Sequence, residues 1–219
     1  MQKISFFFLL LIFGIALLAS YQALFPLPAN IVFERFFALA SFFLLCVVLM
    51  MGPLAAINPQ IFGFLLEPRR TVGILAAIFF LIHIAFSFLF YLGLQFSQII
   101  SQIAYILAAP ALLIFTLMAL TSTNWAIAKI GYKNWKNLHR LGYIAFALIF
   151  AHFLLKATGL GIKINNGTFI NLAEVSMIAL GLLTIAVQVC GFFFQLGKKT
   201  VAPKPAAQNM GAPPAIPTK

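Results

Sequence analysis

The chain contains three histidines, and each lies within or beside a long apolar run. His83 follows Arg70 by 13 residues, and His152 follows Arg140 by 12 residues. Because a helix rises about 1.5 Å per residue, both imidazoles are predicted to lie roughly 18–20 Å from the membrane boundary that the arginines mark. Two imidazoles at equal depth on parallel helices can bind one iron from opposite sides, which is the bis-histidine ligation of a b-type heme.

The chemistry of histidine also allows other roles for these residues. A single histidine inside a membrane often serves only to hydrogen-bond a backbone carbonyl or a hydroxyl on the next helix. Two at matched depth favour a shared metal or heme. Zinc is disfavoured because a tetrahedral site needs further Cys, His or acidic ligands nearby. Cys46 and Cys190 lie in apolar runs and form neither a CxxC nor a CxxCH pattern, so no disulfide or covalently attached heme is predicted.

His139 requires a separate explanation. It precedes His152 by 13 residues, which corresponds to a rise of about 19.5 Å, so the two cannot bind one iron. The position that matches it in depth on the earlier segment is Arg69 or Arg70, and a second bis-histidine heme therefore lacks a ligand. His139 is predicted either to serve a second cofactor on the same electron path or to be an interfacial histidine beside lysines.

The composition indicates a membrane protein with several spans. Hydrophobic residues make up 63% of the 219 residues and charged residues only 8%, against about a quarter in soluble domains. The three acids, Glu34, Glu67 and Glu174, are too few for chains of buried carboxylates, which argues against an ion-coupled transporter. The net charge of +11 is interpreted as a signal of membrane orientation rather than of nucleic-acid binding.

The apolar runs predict an all-α bundle of six transmembrane helices in a bacterial inner membrane. Eleven Lys and Arg side chains fall at one set of helix ends and three at the other, so both termini are predicted to be cytoplasmic. Residues 1–197 form the predicted transmembrane domain, and residues 198–219 a disordered cytoplasmic tail rich in Pro, Ala and Lys. The first run lacks a small-residue cleavage site and is interpreted as a helix rather than a signal peptide. The predicted spans are residues 4–25, 36–56, 71–93, 103–121, 138–157 and 172–195.

Two connections carry local signals. Residues 121–135 predict a short amphipathic turn that begins at Ser122, Thr123 or Asn124 and stops at Gly131. On the opposite side, Asn166-Gly167 between β-branched residues predicts a tight hairpin. Aromatic residues of the first connection are expected at headgroup depth, namely Trp125, Tyr132 and Trp135.

Three stretches together resemble a known family. They are "PRRTVGILAAIFFLIH", "TSTNWAIAKIGYKNWKNLHRLGY" and "FAHFLL". They are similar to the ferric-reductase-like transmembrane proteins, and most of all to the MsrQ (YedZ-type) heme-binding subunits of periplasmic methionine sulfoxide reductase systems. The resemblance spans about residues 36–195, with "GPLAAINP" near the end of the second helix.

The resemblance implies a b-type heme with His83 and His152 as axial ligands and His139 as the third histidine of the motif. It also implies electron delivery from a cytoplasmic flavin reductase or the membrane quinone pool to a periplasmic molybdenum-containing reductase of the MsrP type. Larger members of the family carry a fused flavin and nicotinamide domain, whereas this sequence has no GxGxxG unit after a strand. An electron-transfer subunit rather than a complete enzyme is therefore expected.

The basic cytoplasmic side has two interpretations. Its Arg and Lys residues orient the helices and meet anionic membrane lipids. Arg69, Arg70 and Arg140 are also candidates to hold heme propionates or the phosphate of a flavin such as FMN, and Trp135 is a candidate for cofactor contact beside them. Two rivals remain open at this point: a stand-alone transmembrane ferric reductase, and a heme-free transporter or scaffold.

Overall fold

The computed structural model describes residue 8, residues 11–12, 14–15, 28–159 and 172–201. Within these ranges the backbone forms helices joined by turns, and no strand occurs. The all-α prediction is confirmed. The helices are α1 (Ala29–Ile57), α2 (Pro59–Phe62), α3 (Arg69–Phe86), α4 (Phe96–Ser101), α5 (Ile103–Leu120), α6 (Asn124–Ile130), α7 (Tyr132–Arg140), α8 (Gly142–Gly159) and α9 (Leu172–Val201). A short 3-10 helix (Gly63–Leu66) precedes α3, and a π-helical turn (Ser87–Tyr91) follows it.

Five helices in the described part of the chain are long and apolar enough to cross a membrane. They correspond to the second through sixth predicted spans, so the chain is a multi-pass membrane protein. The first predicted span, residues 4–25, lies mostly outside the described residues. The count of six helices and the cytoplasmic position of both termini therefore stay predictions. The five are Ala29–Ile57, Arg69–Phe90, Ile103–Leu120, Tyr132–Lys156 and Glu174–Gly197.

The helix α1 starts earlier than the predicted boundary at residue 36. Pro28 occupies its N-cap position, where the missing proline N–H removes no helical hydrogen bond. Glu34 and Arg35 consequently lie inside the helix and not in the loop before it. This difference brings a carboxylate into the bundle.

The helix α1 is also the centre of the bundle, packing against α3 on one side and α9 on another, while α5 packs on α8. Phe42 of α1 is buried and stacks on three rings of α8, at centroid distances of 6.1 Å to Phe146, 5.9 Å to Phe150 and 5.2 Å to Phe153. These contacts belong to one hydrophobic core shared by α1, α3, α5, α8 and α9. The phenylalanines in this core serve packing.

A proline in α1 sets how α9 docks. Pro53 has no N–H, so the Leu49 carbonyl one turn earlier loses its ordinary helical donor. The Gln188 side chain of α9 supplies the missing bond, with its Nε2 donating to the Leu49 oxygen at 2.6 Å. Close approach requires glycine at position 191, because a Cβ there would lie 2.6 Å from the Pro53 Cβ. Polar bonds and small residues of this kind hold membrane helices together, since lipid removes the hydrophobic drive.

The connection between α5 and α8 follows the predicted signals. Thr123 caps α6 by accepting a hydrogen bond from the Ala126 N–H at 3.1 Å. Gly131 ends that helix with a positive φ of 79°, a conformation that favours glycine. The chain then enters α7, which carries His139, and a one-residue turn at Leu141 separates α7 from α8. The Asn166-Gly167 hairpin and most of the predicted tail lie outside the described residues, whereas α9 runs on to Val201.

Candidate functional site

His83 lies near the end of α3 that faces away from the arginines. Its Nδ1 is 3.2 Å from the Glu34 backbone oxygen and 3.2 Å from the Glu34 carboxylate oxygen Oε1. A carbonyl oxygen can only accept, so Nδ1 carries the proton and donates to both oxygens. The Nε2 atom makes no hydrogen bond within the described residues, and its lone pair is available to a metal.

His152 of α8 has the same arrangement. Its Nδ1 donates to the Ala104 carbonyl oxygen of α5 at 2.8 Å, and this fixes the tautomer with a lone pair on Nε2. The two histidines are thus held from different neighbouring helices, α1 for His83 and α5 for His152. A histidine that ligates a metal almost always donates its other ring N–H in this way.

The structure brings His83 and His152 to the same end of the bundle, where His83 contacts Glu34 near the start of α1 and His152 contacts Ala104 near the start of α5. The surroundings fit an axial pair for heme, because each ring presents a lone pair on Nε2 while its Nδ1 is tied to a backbone carbonyl. The same surroundings fit a bare metal ion less well than a heme. Among the described residues, no group of three or more His, Cys, Asp or Glu converges on one point.

A polar group flanks His152 at this end. The Tyr105 ring lies 6.2 Å from the His152 ring, between centroids, and the Lys156 ammonium donates to the Tyr105 hydroxyl at 2.7 Å. The same ammonium lies 3.4 Å from the Gln102 side-chain oxygen. This end therefore carries a positive side chain next to the histidine pair, which suits an acidic group in its vicinity.

His139 lies at the opposite end, and its ring is fixed through one nitrogen. Nδ1 donates to the Trp135 carbonyl at 3.0 Å, while Nε2 lies 3.3 Å from the Ser122 hydroxyl, whose proton is donated to the Met118 carbonyl at 2.7 Å. The Trp135 indole packs against the imidazole with a centroid distance of 4.2 Å. The indole Nε1 is buried and has no hydrogen-bond partner in the described structure. We refer to Arg69, Ser122, Trp135 and His139 as the inner cluster.

The three candidate arginines differ in their surroundings. The charge of Arg69 acts on His139, and its guanidinium lies against α1, where a Cβ at position 52 would be 3.1 Å from Nη1. Arg70 donates to the Asn124 side chain at 2.6 Å and ties α3 to α6. Arg140 donates to Asn137 of its own helix at 3.1 Å. The arginine that joins the inner cluster is thus Arg69, while anion binding by Arg70 and Arg140 stays a prediction.

The sequence did not predict the roles of several residues that contact the histidines at the two ends of the bundle. Glu34 was counted as an acid but placed outside the span, and Ser122 was considered only as a helix cap. Ser87, which donates to the Glu34 carboxylate at 2.7 Å, gave no signal of its own. The absence of a turn signal between "NIVF" and Glu34 was the available clue that α1 begins before Glu34.

Comparison with known proteins decides the family. A family model described as the ferric reductase like transmembrane component matches residues 37–150, more than half of the chain. The chain belongs to this family. The resemblance predicted from the sequence is confirmed, and the matched region of the ferric reductase-like family includes His83 and His139 and ends just before His152.

Named relatives within the ferric reductase-like family are more specific. The chain is 32% identical over 127 residues to the protein-methionine-sulfoxide reductase heme-binding subunit MsrQ of Brucella anthropi, which covers 56% of each chain. It is 38% identical over 95 residues to the MsrQ of Brucella ovis, covering 42% of this chain and 43% of the relative. The chain thus spans about half the length of the curated relatives it matches. No solved structure matches.

Proposed function

We propose that the chain is a membrane electron-transfer subunit that holds a b-type heme between His83 and His152. The observation that carries this proposal is the matched state of the two imidazoles, each with Nδ1 bonded to a carbonyl and Nε2 presented as a ligand. The ferric reductase-like family and the MsrQ relatives, whose name describes a heme-binding subunit, support the same conclusion.

A bound heme supplies one-electron redox chemistry, and the protein supplies ligation, orientation and surroundings. The Glu34 and Ala104 carbonyl oxygens fix the rotation of the two rings. The bundle partly buries both histidines, and Lys156 provides a positive charge for an acidic substituent of the cofactor. No second heme is required for this arrangement.

Electron entry is proposed at the inner cluster. A second heme on His139 would require the Ser122 hydroxyl, 3.3 Å from Nε2, to move away, so we favour contact with a carbonyl acceptor such as a quinone headgroup or a flavin. The unpaired Trp135 Nε1–H and the nearby Arg69 guanidinium are the donors that such a carbonyl needs. Electrons would then come from the quinone pool or a cytoplasmic flavin reductase.

Electron exit is proposed at the end that carries His83 and His152. The MsrQ relatives are named as subunits of a methionine sulfoxide reductase, and the proposed acceptor is a periplasmic molybdenum-containing reductase of the MsrP type. A heme near the outer face shortens the distance to such an acceptor. The inner cluster begins about 20 Å away along α3, as expected for a path that crosses the membrane.

The test is a reduced-minus-oxidised spectrum of the purified protein. We expect the wild type to show a low-spin b-type heme, and His83→Ala and His152→Ala each to lose that signal because one axial bond is missing. His139→Ala serves as the matched control and should keep the low-spin spectrum. Full heme with unchanged ligation in either of the first two variants would refute the shared iron, and loss in all three would mean that the wrong histidines are paired.

A further inference from the structure

We propose that Glu34 is a positioning residue that sets the donor strength of His83 and so lowers the reduction potential of the heme. The inference rests on the proposed function, since it concerns a heme held by His83 and His152. It goes further by assigning a role to a carboxylate that neither the family nor the relatives' names assign.

Glu34 and His83 meet inside the bundle. The His83 side chain is 14% exposed and that of Glu34 is 17% exposed. Glu34 receives the Nδ1 proton on two oxygens, the backbone carbonyl and Oε1, each at 3.2 Å. A carboxylate within a membrane span is expensive and is retained where it has a partner and a function. Helix packing between α1 and α3 is therefore not a sufficient explanation for a carboxylate at this position.

The carboxylate is also held from a second side. Ser87 lies one turn after His83 on α3, and its hydroxyl donates to Oε1 at 2.7 Å. Two donors from one helix thus fix the Glu34 side chain of another helix. The fixed carboxylate keeps its orientation toward Nδ1, so the rotation of the imidazole and the direction of Nε2 are fixed as well.

The two predicted ligands differ in what their Nδ1 atoms contact. His152 donates only to the neutral carbonyl of Ala104, whereas His83 donates to a carboxylate. Hydrogen bonds to an ionised acceptor are stronger, and a carboxylate behind a ligating histidine raises the basicity of the ligand. A more basic ligand and a nearby negative charge both favour the ferric state of the heme.

The experiment measures the midpoint potential of the heme in the purified full-length protein. Glu34→Gln keeps the size and the acceptor oxygen but removes the charge, so the low-spin spectrum should persist. At one applied potential, the ratio of reduced to oxidised heme should rise on the order of tenfold, which is about 59 mV for one electron. Glu67→Gln is the matched control, because Glu67 is exposed and lies before α3, away from both histidines.

A second variant tests whether the position of the carboxylate matters. Ser87→Ala keeps the charge of Glu34 but removes the hydroxyl that holds its carboxylate toward Nδ1, so the ratio should rise as in Glu34→Gln, but by less. A potential in Glu34→Gln equal to that of Glu67→Gln would overturn the proposal. If Glu34→Gln loses its heme, Ser87→Ala decides: a higher potential supports the role of Glu34, and an unchanged or lower one overturns it. A wild-type protein without heme would instead refute the proposed function.

Discussion

The unpaired indole N–H of Trp135 leads to a prediction that separates binding from stability. Trp135→Phe removes the buried Nε1–H but leaves an aromatic ring beside His139. If this N–H exists to donate to a quinone or flavin carbonyl, the variant should bind such a ligand more weakly. If the indole only packs against its neighbours, the affinity for the ligand should be unchanged.

The magnitudes follow from what the indole contacts. A buried donor without a partner costs about 1–3 kcal/mol, so removing it is favourable. The smaller ring loses packing against His139, which costs a similar amount in the opposite direction. The free energy of unfolding should therefore change by no more than about 1 kcal/mol. One lost hydrogen bond to the ligand should weaken binding about tenfold, or about 1.4 kcal/mol.

The assay is titration of the purified protein with a soluble quinone analogue, read by the quenching of tryptophan fluorescence or by the rise in melting temperature. Trp125→Phe is the control, because Trp125 is 71% exposed and lies on α6 outside the inner cluster. Equal affinities in the two variants would refute the assignment of Trp135 as a ligand donor. A large loss of stability in Trp135→Phe would show that the indole is structural.

Two further predictions concern packing, and both are read by denaturation in detergent. Gln188→Leu should lower the free energy of unfolding by about 0.6–1.7 kcal/mol, the range of hydrogen bonds between membrane helices. The loss should be smaller in a Pro53→Ala background, where residue 53 regains an N–H for the Leu49 carbonyl. Equal losses in both backgrounds would argue against the coupling between Gln188 and Pro53. Gly181→Ala should cost about 1–3 kcal/mol, because its Cβ would lie 2.6 Å from the Phe150 ring. Gly197→Ala on the same helix has open space and should cost nothing; a similar loss in both variants would argue against a clash at Gly181.

The helices, and the placement of His83 and His152 at one end of the bundle, were predictable because both depend on distance along the chain. Apolar length defines a span, and a fixed rise per residue gives the depth of His83 and His152. Thr123 and Gly131 were predictable for the same reason, since capping is local. In each case the physical cause lies within a few residues of the feature.

The contacts that orient the histidines were not predictable from the sequence. The acceptor of His152 is the carbonyl of Ala104, and every residue has a carbonyl, so residue type carries no signal. Glu34 was misplaced because a Glu-Arg pair is typical of a span boundary, and the N-cap at Pro28 moved that boundary outward. Both contacts depend on the relative register of two helices, which is set by packing over the whole bundle.

The bond between Gln188 and Leu49 joins residues 139 positions apart, and this separation has a consequence for biogenesis. Helices enter the membrane in the order of synthesis, so α1 is inserted with a carbonyl that has no donor until α9 is made. In hydrocarbon such a carbonyl is costly, and α1 is expected to stay near water or the insertion machinery during that interval. A nascent chain that stops before Gln188 would keep this defect, which would mark it for degradation by membrane proteases.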